Sequence, residues 1–303
     1  MYTVPDQTGR TIVVTGSNSG TGKEAARRLA GAGATVIMAV RTVSKGEDAR
    51  REILAALPQA HVSVRRVDLA DLASIREFTS GIIDEGIAVD TLDNNAGVMV
   101  PPKRATTADG FELQFGSNVL GPFALTMLLL PRILESKSPR VATMSSGTAN
   151  FGRIQFDDLN WQQAYRPGRA YAQSKLADML FAERLAVLAG ERGWSLRSTI
   201  AHPGYTRTNL QTAGRNLDRP GAELPPVQRT ILPSQGVEQG AEPLLFAAAD
   251  PFAEQGAYYG PNRLALVGPT KKVNLPRSAR RAGVPERLWA VAEELTGTSL
   301  PVA

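Results

Sequence analysis

The 303-residue sequence contains no cysteine and only two histidines, His61 and His202. The absence of cysteine excludes disulfide bonds and thiolate metal ligands. Two histidines are too few for a metal centre that is built mainly from imidazole ligands. We therefore predict a protein without a metal site.

Long hydrophobic runs are also scarce. The longest apolar stretch, residues 123–131, is much shorter than the ~18 residues that span a bilayer. Residues 1–9 are polar and lack the apolar segment of a signal peptide. We expect a cytoplasmic protein with no membrane span.

Charge of either sign is moderate, with a formal net charge of +5 and 43% hydrophobic residues. This composition is typical of a globular protein that buries a sizeable core. Basic residues cluster near the C-terminus, at Lys271, Lys272, Arg277, Arg280, Arg281 and Arg287. No aromatic platform is interleaved with them, which favours a solvated surface over a nucleic-acid patch. We predict no nucleic-acid partner.

Strand-like and helix-like segments alternate along the chain, without internal repeats. We predict strands over residues 12–14, 35–40, 62–67, 91–94, 140–145, 196–201 and 257–259. We predict helices over residues 24–30, 44–57, 71–85, 111–137 with Pro122 interrupting the middle, 170–192, 235–249 and 285–297. This alternation predicts an α/β fold in which helices cover both faces of a parallel sheet.

The domain prediction is a single doubly wound parallel sheet over residues 1–303, with strand order 3-2-1-4-5-6-7 and the ligand where the order reverses. Residues 209–234 are rich in Gly, Pro and polar groups and lack a period. Such a long irregular segment is usually functional, so we predict a substrate-binding loop there. Residues 261–303 form a C-terminal extension of the same domain.

A glycine-rich turn joins the first predicted strand to the first predicted helix. Gly16 would allow the tight turn, Gly20 would let the backbone approach a ligand, and Gly22 would let helix and strand pack closely. The helix N-terminus then offers N–H groups and a positive dipole end to a pyrophosphate. The spacing departs from G-x-G-x-x-G, so a turn without a ligand is the alternative.

Tyr171 and Lys175 lie four residues apart and therefore on one face of a predicted helix. In a cleft of low dielectric constant the lysine charge would favour tyrosinate and lower the pKa of the phenol. That combination suits a general acid/base for a carbonyl or alcohol oxygen. A chance pair on a solvent-facing surface is the alternative.

Further motifs stand in order between and around these two. They are Asp68-Leu69, Asn94-Asn95-Ala96-Gly97, Asn118, Ser145-Ser146 and Pro203-Gly204. With the glycine turn and Tyr171-x3-Lys175, this series resembles the short-chain dehydrogenase/reductase family over most of residues 8–260. Residues 94–175 look most similar to its retinol-dehydrogenase-like branch, which also includes WW-domain oxidoreductases.

The resemblance implies a Rossmann fold, a nicotinamide dinucleotide cofactor and four catalytic residues. Tyr171 would donate or accept the proton, and Ser146 would hydrogen-bond the substrate oxygen. Lys175 would tune Tyr171 and hold the nicotinamide ribose, and Asn118 would position a water in the proton relay. Three alternatives stay open: Asn118 as a polar helix break, Asp68 as a helix cap, and Ser145 as the functional serine.

The resemblance also implies a set of cofactor-binding residues. These are Gly16, Ser17, Asn18, Ser19, Gly20, Thr21, Gly22, Arg41, Asp68, Leu69, Asn95, Ala96, Gly97, Tyr171, Lys175, Pro203, Gly204, Thr206 and Thr208. The chain departs from the branch at Thr21, Val119, Pro122 and Asp93. Asp93 is the hardest to explain, since a carboxylate without partners in a buried strand is costly; it is either paired, protonated, or the mark of a site that has been altered.

Arg41 ends the second predicted strand, about 20 residues after the glycine turn. An acid at this position would repel a 2′-phosphate, whereas arginine attracts it. No acid follows until Glu47, and Ser17 and Asn18 could add hydrogen bonds to the same phosphate. We therefore predict that NADP(H) is preferred. Acceptance of NAD(H) as well is the alternative if Arg41 only stacks on adenine.

Together these features predict an NADP(H)-dependent oxidoreductase that interconverts a ketone or aldehyde and the corresponding alcohol. A bulky apolar substrate is suggested by Leu210, Leu217, Leu224, Val227 and Ile231, with Phe151 and Trp161. These side chains could instead cover the core or form a homo-oligomer contact. The rival functions are a dinucleotide-sensing regulator without catalysis and a nucleic-acid-associated protein.

Overall fold

Eight strands form one sheet in the order β3-β2-β1-β4-β5-β6-β7-β8. The structure, a computed structural model, describes residues 1–208, 210 and 232–301. The strands are β1 Thr11–Thr15, β2 Thr35–Val40, β3 His61–Arg66, β4 Thr91–Asn94, β5 Arg140–Met144, β6 Arg197–Ala201, β7 Tyr258–Arg263 and β8 Val267–Val273. All neighbours pair in parallel except β7 and β8, which are antiparallel. The predicted single-domain doubly wound fold and its strand order are confirmed through β7.

Strand β8 is the element that the sequence did not predict. Val267–Val273 carries glycine, proline and two lysines, so it has neither an apolar run nor a clear alternation. Proline and lysine are typical of an edge strand, where they discourage pairing with other chains. The tight connection to β7 places Leu264 and Ala265 at positive φ angles of 53° and 56°. The hairpin pairing with β7 therefore defines this strand, rather than burial.

Helices cover both faces of the sheet. They are α1 Gly20–Gly31, α2 Val43–Ala56, α3 Leu72–Asp84, α4 Leu113–Leu134, α5 Pro167–Glu191, α6 Val237–Gly240, α7 Glu242–Ala249 and α8 Val284–Thr296. Two 3₁₀ turns span Gly147–Phe151 and Arg277–Arg280. One core cluster joins the sheet to α3, α4, α5 and α8. A second cluster joins its other face to α1, α2 and α7.

Helix α4 is not interrupted at Pro122, contrary to the prediction. Its residues 116–120 form a π-helical turn, and Pro122 lies in the first turn of the α-helix that follows. Proline has no N–H to donate, so one backbone hydrogen bond of the helix is missing at position 122. The π turn therefore absorbs the irregularity that the proline would otherwise cause.

The same helix, Leu113–Leu134, is the one described helix whose length and apolar composition would suit a membrane span. However, 89% of its most apolar window is buried inside the protein. A core helix that packs between a sheet and other helices passes the same test. The apolar composition of α4 follows from this burial.

Asp93 lies in β4, where it pairs in register with Val14 and Ala142. It is fully buried, and neither carboxyl oxygen has a hydrogen-bond partner among the described residues. Burial raises its pKa well above the usual range, and the charges of Arg10 and Arg140 oppose this only in part. Burial therefore favours the protonated form of Asp93, which is one of the possibilities that the sequence left open.

Candidate active site

The glycine turn lies between β1 and α1 and has the conformation that its glycines allow. Gly16 and Gly20 have φ angles of +65° and +56°, in the left-handed region that other residues rarely adopt. A Cβ atom at Gly22 would lie 2.6 Å from the Gly16 carbonyl oxygen and 2.4 Å from Asn95 Nδ2. Glycine is therefore required at position 22 for close packing of helix and loop.

The N-terminus of α1 fits the phosphate groups of a dinucleotide. Ser19 caps the helix without a side-chain hydrogen bond, and the first turn contains no acidic residue. Among the described residues, a Cβ atom at Gly20 would meet nothing closer than Thr208 Cγ2, at 3.6 Å. The helix end thus keeps open space and free N–H groups beside it, which is what anion binding at a helix N-terminus requires.

Hydrogen bonds tie this turn to the loop after β4. Thr21 Oγ1 donates to Asn95 Oδ1 at 3.0 Å, and Asn95 Nδ2 donates to the Thr15 carbonyl at 2.9 Å. The hydroxyl of Thr15 accepts from the backbone N–H groups of Asn95 and Ala96. Sequence reasoning did not single out Thr15, although its place at the end of β1 was a usable signal. Thr21, an apparent departure from the family, serves here as a cross-link.

Ser17 requires a correction. It has no exposed surface, and its hydroxyl donates to the Val14 carbonyl at 2.9 Å. It therefore stabilises the turn from inside and cannot reach a 2′-phosphate. Asn18 is partly exposed, as a ligand contact would require.

The candidate adenosine end is formed by residues after β2 and β3. Arg41 follows β2 and is exposed. Asp68 accepts a hydrogen bond from the Ala70 N–H at 3.0 Å, and its own N–H donates to Ser74 Oγ. The cap of α3 is Asp71, whose carboxylate accepts from Ala73 and Ser74, so Asp68 does not cap this helix. Leu69 is buried. A Cβ at Gly121 would lie 2.3 Å from the Leu69 carbonyl oxygen, so glycine at position 121 allows α4 to pack close to Leu69.

The segment after β6 returns to the glycine turn. The carbonyl of Pro203 accepts hydrogen bonds from Gln235 Nε2, at 2.8 Å, and from the Thr206 hydroxyl. Gly204 has a positive φ of 64°, and a Cβ there would meet the Leu266 carbonyl at 2.3 Å. Of the described side chains, that of Thr208, two residues beyond Thr206, would lie nearest to a Cβ at Gly20. The predicted loop at 209–234 lies outside the described residues except for Leu210 and residues 232–234.

Asn118 lies in the π turn of α4 and is buried. Its Oδ1 accepts from the Val98 N–H at 2.8 Å, and its Nδ2 donates to the Val98 carbonyl and to Ser174 Oγ at 3.0 and 2.9 Å. An asparagine side chain can make four hydrogen bonds, so one lone pair of Oδ1 stays available. Asn118 thus joins the loop after β4 to helix α5 rather than merely breaking a helix.

The two adjacent serines after β5 have different surroundings. Ser145 is buried, and its hydroxyl donates to the Lys175 carbonyl at 2.6 Å. Ser146 is partly exposed; its hydroxyl accepts from the Thr148 N–H, which caps the 3₁₀ turn, and its proximity lowers the pKa of the Tyr171 phenol. Of the two, Ser146 is the serine that can reach a substrate oxygen beside Tyr171.

Tyr171 and Lys175 lie on α5 and are both buried. The ammonium of Lys175 donates to the Met144 carbonyl at 2.9 Å. A Cβ at Gly97 would lie 3.6 Å from Lys175 Nζ and 3.2 Å from Asn118 Oδ1. The structure therefore brings all four predicted catalytic residues together where β4 and β5 end, next to the glycine turn.

The electrostatics of this group differ from the prediction. Burial raises the pKa of Tyr171, and this outweighs the lowering by the Lys175 charge and by the hydrogen bond with Ser146. The predicted net lowering of the phenol pKa is therefore wrong for the protein alone. The negative charge of Asp178 adds to the increase.

Asp178 is the residue of this site that sequence reasoning missed. Its Oδ2 accepts a hydrogen bond from Lys175 Nζ at 2.8 Å, and both side chains are less than 5% exposed. Burial raises the pKa of Asp178 to about 6, against the lowering effect of Lys175. An acid three residues after the lysine, on the same helix face, was the signal available in the sequence.

The aromatic residues predicted near the substrate are placed differently from each other. Phe151 is 86% exposed at the end of the 3₁₀ turn that follows Ser146, whereas Trp161 is only 5% exposed.

Two basic side chains of the C-terminal cluster interact with other side chains of the protein. Lys272 pairs with Glu254 at 2.6 Å, and the Arg287 guanidinium lies 4.0 Å from the centre of the Phe156 ring.

Comparisons with known proteins agree with this geometry. Residues 10–217 match the family model of the short chain dehydrogenases. Retinol dehydrogenase 13 of Homo sapiens is 40% identical over 301 residues, covering 97% of this chain and 86% of that protein. Retinol dehydrogenase 12 of Bos taurus is 38% identical over 289 residues, covering 95% and 87%.

Two solved structures extend the comparison. An uncharacterized protein of Mycobacterium paratuberculosis superimposes with a TM-score of 0.81 at 41% identity, covering 99% of this chain and 97% of its own. A protein of Beutenbergia cavernae, named for NAD(P)-dependent gluconate 5-dehydrogenase activity and containing bound NADP, has a TM-score of 0.62 at 28% identity. That match covers 84% of this chain and 95% of the other.

Proposed function

The chain belongs to the short-chain dehydrogenase/reductase family, and on that premise we propose that it is an NADP(H)-dependent oxidoreductase with Tyr171 as general acid/base. It would interconvert a ketone or aldehyde and the corresponding alcohol. The observation that carries the proposal is the buried Tyr171 phenol, on which both the Lys175 charge and the Ser146 hydroxyl act to lower the pKa. This group lies next to a glycine turn that fits dinucleotide phosphates.

Each side chain has a role that follows from its contacts. The nicotinamide ring supplies or accepts the hydride when the cofactor is bound. Tyr171 donates a proton to the carbonyl oxygen in reduction and accepts one from the alcohol in oxidation. Ser146 donates a hydrogen bond to that oxygen, and the Lys175 charge favours the tyrosinate form. Asn118 fixes the loop after β4 and keeps one lone pair for a water.

Turnover of NADPH with a panel of carbonyl compounds tests this proposal. Retinal and bulky apolar ketones should be reduced faster than small charged carbonyl compounds such as sugar phosphates. Support comes from the retinol dehydrogenases among the relatives, since retinol is a bulky apolar alcohol. A preference for charged substrates would contradict the predicted bulky apolar substrate. Binding of NADPH without turnover of any compound would instead favour the regulatory alternative.

The Tyr171→Phe variant tests the acid/base role. It should lose about 10²–10⁴-fold in kcat, because only the transferable proton is removed while the ring stays packed. NADPH binding, followed by the fluorescence of the nicotinamide, should stay nearly unchanged. Tyr259→Phe is the matched control, since its hydroxyl accepts a hydrogen bond from the Glu254 N–H and plays no part in the proposed site. If Tyr171→Phe keeps more than about a tenth of kcat, another group transfers the proton.

The preference for NADPH over NADH rests on Arg41, an exposed guanidinium at the end of β2. A guanidinium binds a phosphate through charge-assisted, bidentate hydrogen bonds. Arg41→Ala should therefore lower kcat/KM for NADPH more than for NADH. Arg51→Ala, which removes an exposed arginine from α2, should leave the ratio of the two constants unchanged. Equal kcat/KM values for the two cofactors in the parent enzyme would show that Arg41 does not select the phosphate.

A further inference from the structure

A buried ion pair lies directly behind the proposed acid/base. Lys175 Nζ and Asp178 Oδ2 are 2.8 Å apart, and the side chains are 4% and 3% exposed. By comparison, Lys272 and Glu254 form a surface pair that is 55% and 60% exposed. A pair that is removed from water this completely interacts much more strongly with neighbouring charges than a surface pair does.

Stability does not explain this pair. Both residues lie on α5, one turn apart, so the contact joins no separate elements. A buried ion pair usually contributes no net stability over well-packed apolar residues, because removing both charges from water offsets their attraction. Helix α5 is already held by apolar packing along most of its length. The position of the pair beside Tyr171 therefore suggests a role in the chemistry.

The charges around Asp178 are few. Among the described residues, Lys175 and Tyr171 are the titratable groups that interact with it. The polar groups that neighbouring elements place near the Lys175 end of the pair are uncharged, namely the Met144 carbonyl from β5 and the Asn118 amide from α4. Helix α8 also packs against α5, but its Glu286 acts on Glu183, further along the helix.

We propose that Asp178 is a positioning residue that holds the Lys175 ammonium at the ends of β4 and β5 and whose negative charge makes the Tyr171–Lys175 pair retain its proton to higher pH. The proposal rests on the proposed acid/base role of Tyr171. Its physical basis is that a negative charge opposes the loss of a proton from any neighbouring group. Lys175 and Tyr171 are strongly coupled, so the first proton lost belongs to the pair rather than to either residue. Without the carboxylate charge, the Tyr171–Lys175 pair loses its first proton at a lower pH, whichever of the two groups releases it.

Titration by nuclear magnetic resonance tests this directly. The protein is labelled with ¹³C at tyrosine Cζ and lysine Cε, and the two signals are assigned by their absence in Tyr171→Phe and Lys175→Arg. In Asp178→Asn, which keeps the shape but not the charge, the first ionisation of the pair should move down by about one pH unit or more. Asp178→Glu retains the charge and should restore most of the wild-type value. Asp84→Asn removes an exposed carboxylate from the end of α3 and should have no effect.

Activity provides a second readout. In the oxidation direction with NADP⁺ and an alcohol, the acidic limb of the kcat/KM profile should shift to lower pH by the same amount in Asp178→Asn. Unchanged titration of both signals, to within about 0.3 pH unit, would overturn the proposal. If both Asp178→Asn and Asp178→Ser fail to fold while Asp178→Glu folds, the carboxylate is structural and the proposal is also overturned.

The two proposals fail in different ways. The titration needs no turnover, so a shift in Asp178→Asn without activity on any carbonyl or alcohol would retain the electrostatic role and reject the oxidoreductase. Oxidoreductase activity without a titration shift in Asp178→Asn would retain the proposed enzyme function and reject the electrostatic role of Asp178.

Discussion

Asp93 is the residue with the least favourable environment among those that the structure describes, since both of its carboxyl oxygens are buried without partners. Burial favours the neutral acid, because it raises the pKa of this carboxyl in the folded protein. The unfolded chain releases that proton above about pH 4. The free energy of unfolding is therefore highest below the pKa that Asp93 has in the unfolded chain. It falls as the pH rises toward the pKa that Asp93 has in the folded protein.

Asp93→Val should therefore stabilise the protein. The expected gain in the free energy of unfolding is about 1–3 kcal/mol below about pH 4, the usual cost of an unsatisfied buried polar group, and it grows at higher pH because wild type must also bind a proton to fold. Urea denaturation at several pH values measures this gain, which should shrink below about pH 5. Asp93→Asn is the matched control: it removes the titration but keeps a buried polar group. If wild type and Asp93→Asn show the same pH dependence, Asp93 does not titrate between the two states.

Residue identities were predictable where the backbone demands a particular chemistry. Gly16, Gly20 and Gly22 could be identified because positive φ angles and close contacts admit little else. The balance of pKa effects at Tyr171 could not be predicted, because it depends on the depth of burial. The prediction that Ser17 contacts the 2′-phosphate failed for a similar reason. The side chain is buried and points into the turn, where its hydroxyl donates to the Val14 carbonyl.

At the scale of elements, most boundaries follow from hydrophobic runs and caps. Strands β2 and β4 span the predicted residues, and Asp71, the first residue of the predicted helix, is the N-cap of α3. Helix α1 begins at Gly20, four residues earlier than predicted, because the glycine turn feeds directly into it. The π turn of α4 and the edge strand β8 were not predictable. The π turn depends on packing around Asn118, and strand β8 depends on pairing with β7.

The whole molecule is organised so that one helical layer carries the site. Helices α4 and α5 supply Asn118, Tyr171 and Lys175, and they pack with α8 on the same face of the sheet. Topology could be predicted because alternating strands and helices allow few arrangements. Cytoplasmic location and oligomeric state stay predictions, since neither follows from packing within one chain.

The C-terminal helix α8 should be essential to the stability of this layer. Trp289 is 7% exposed, and its ring lies 5.0 Å from that of Phe123 in α4 and 5.8 Å from that of Phe181 in α5. Replacing a buried tryptophan with alanine leaves a large cavity, so Trp289→Ala should cost about 3–5 kcal/mol in the free energy of unfolding. Urea denaturation followed by far-ultraviolet circular dichroism measures the loss. Trp194→Ala, at a partly exposed site beside Arg192, is the control and should cost clearly less. Equal losses in the two variants would mean that α8 is a peripheral addition rather than part of the layer that holds the site.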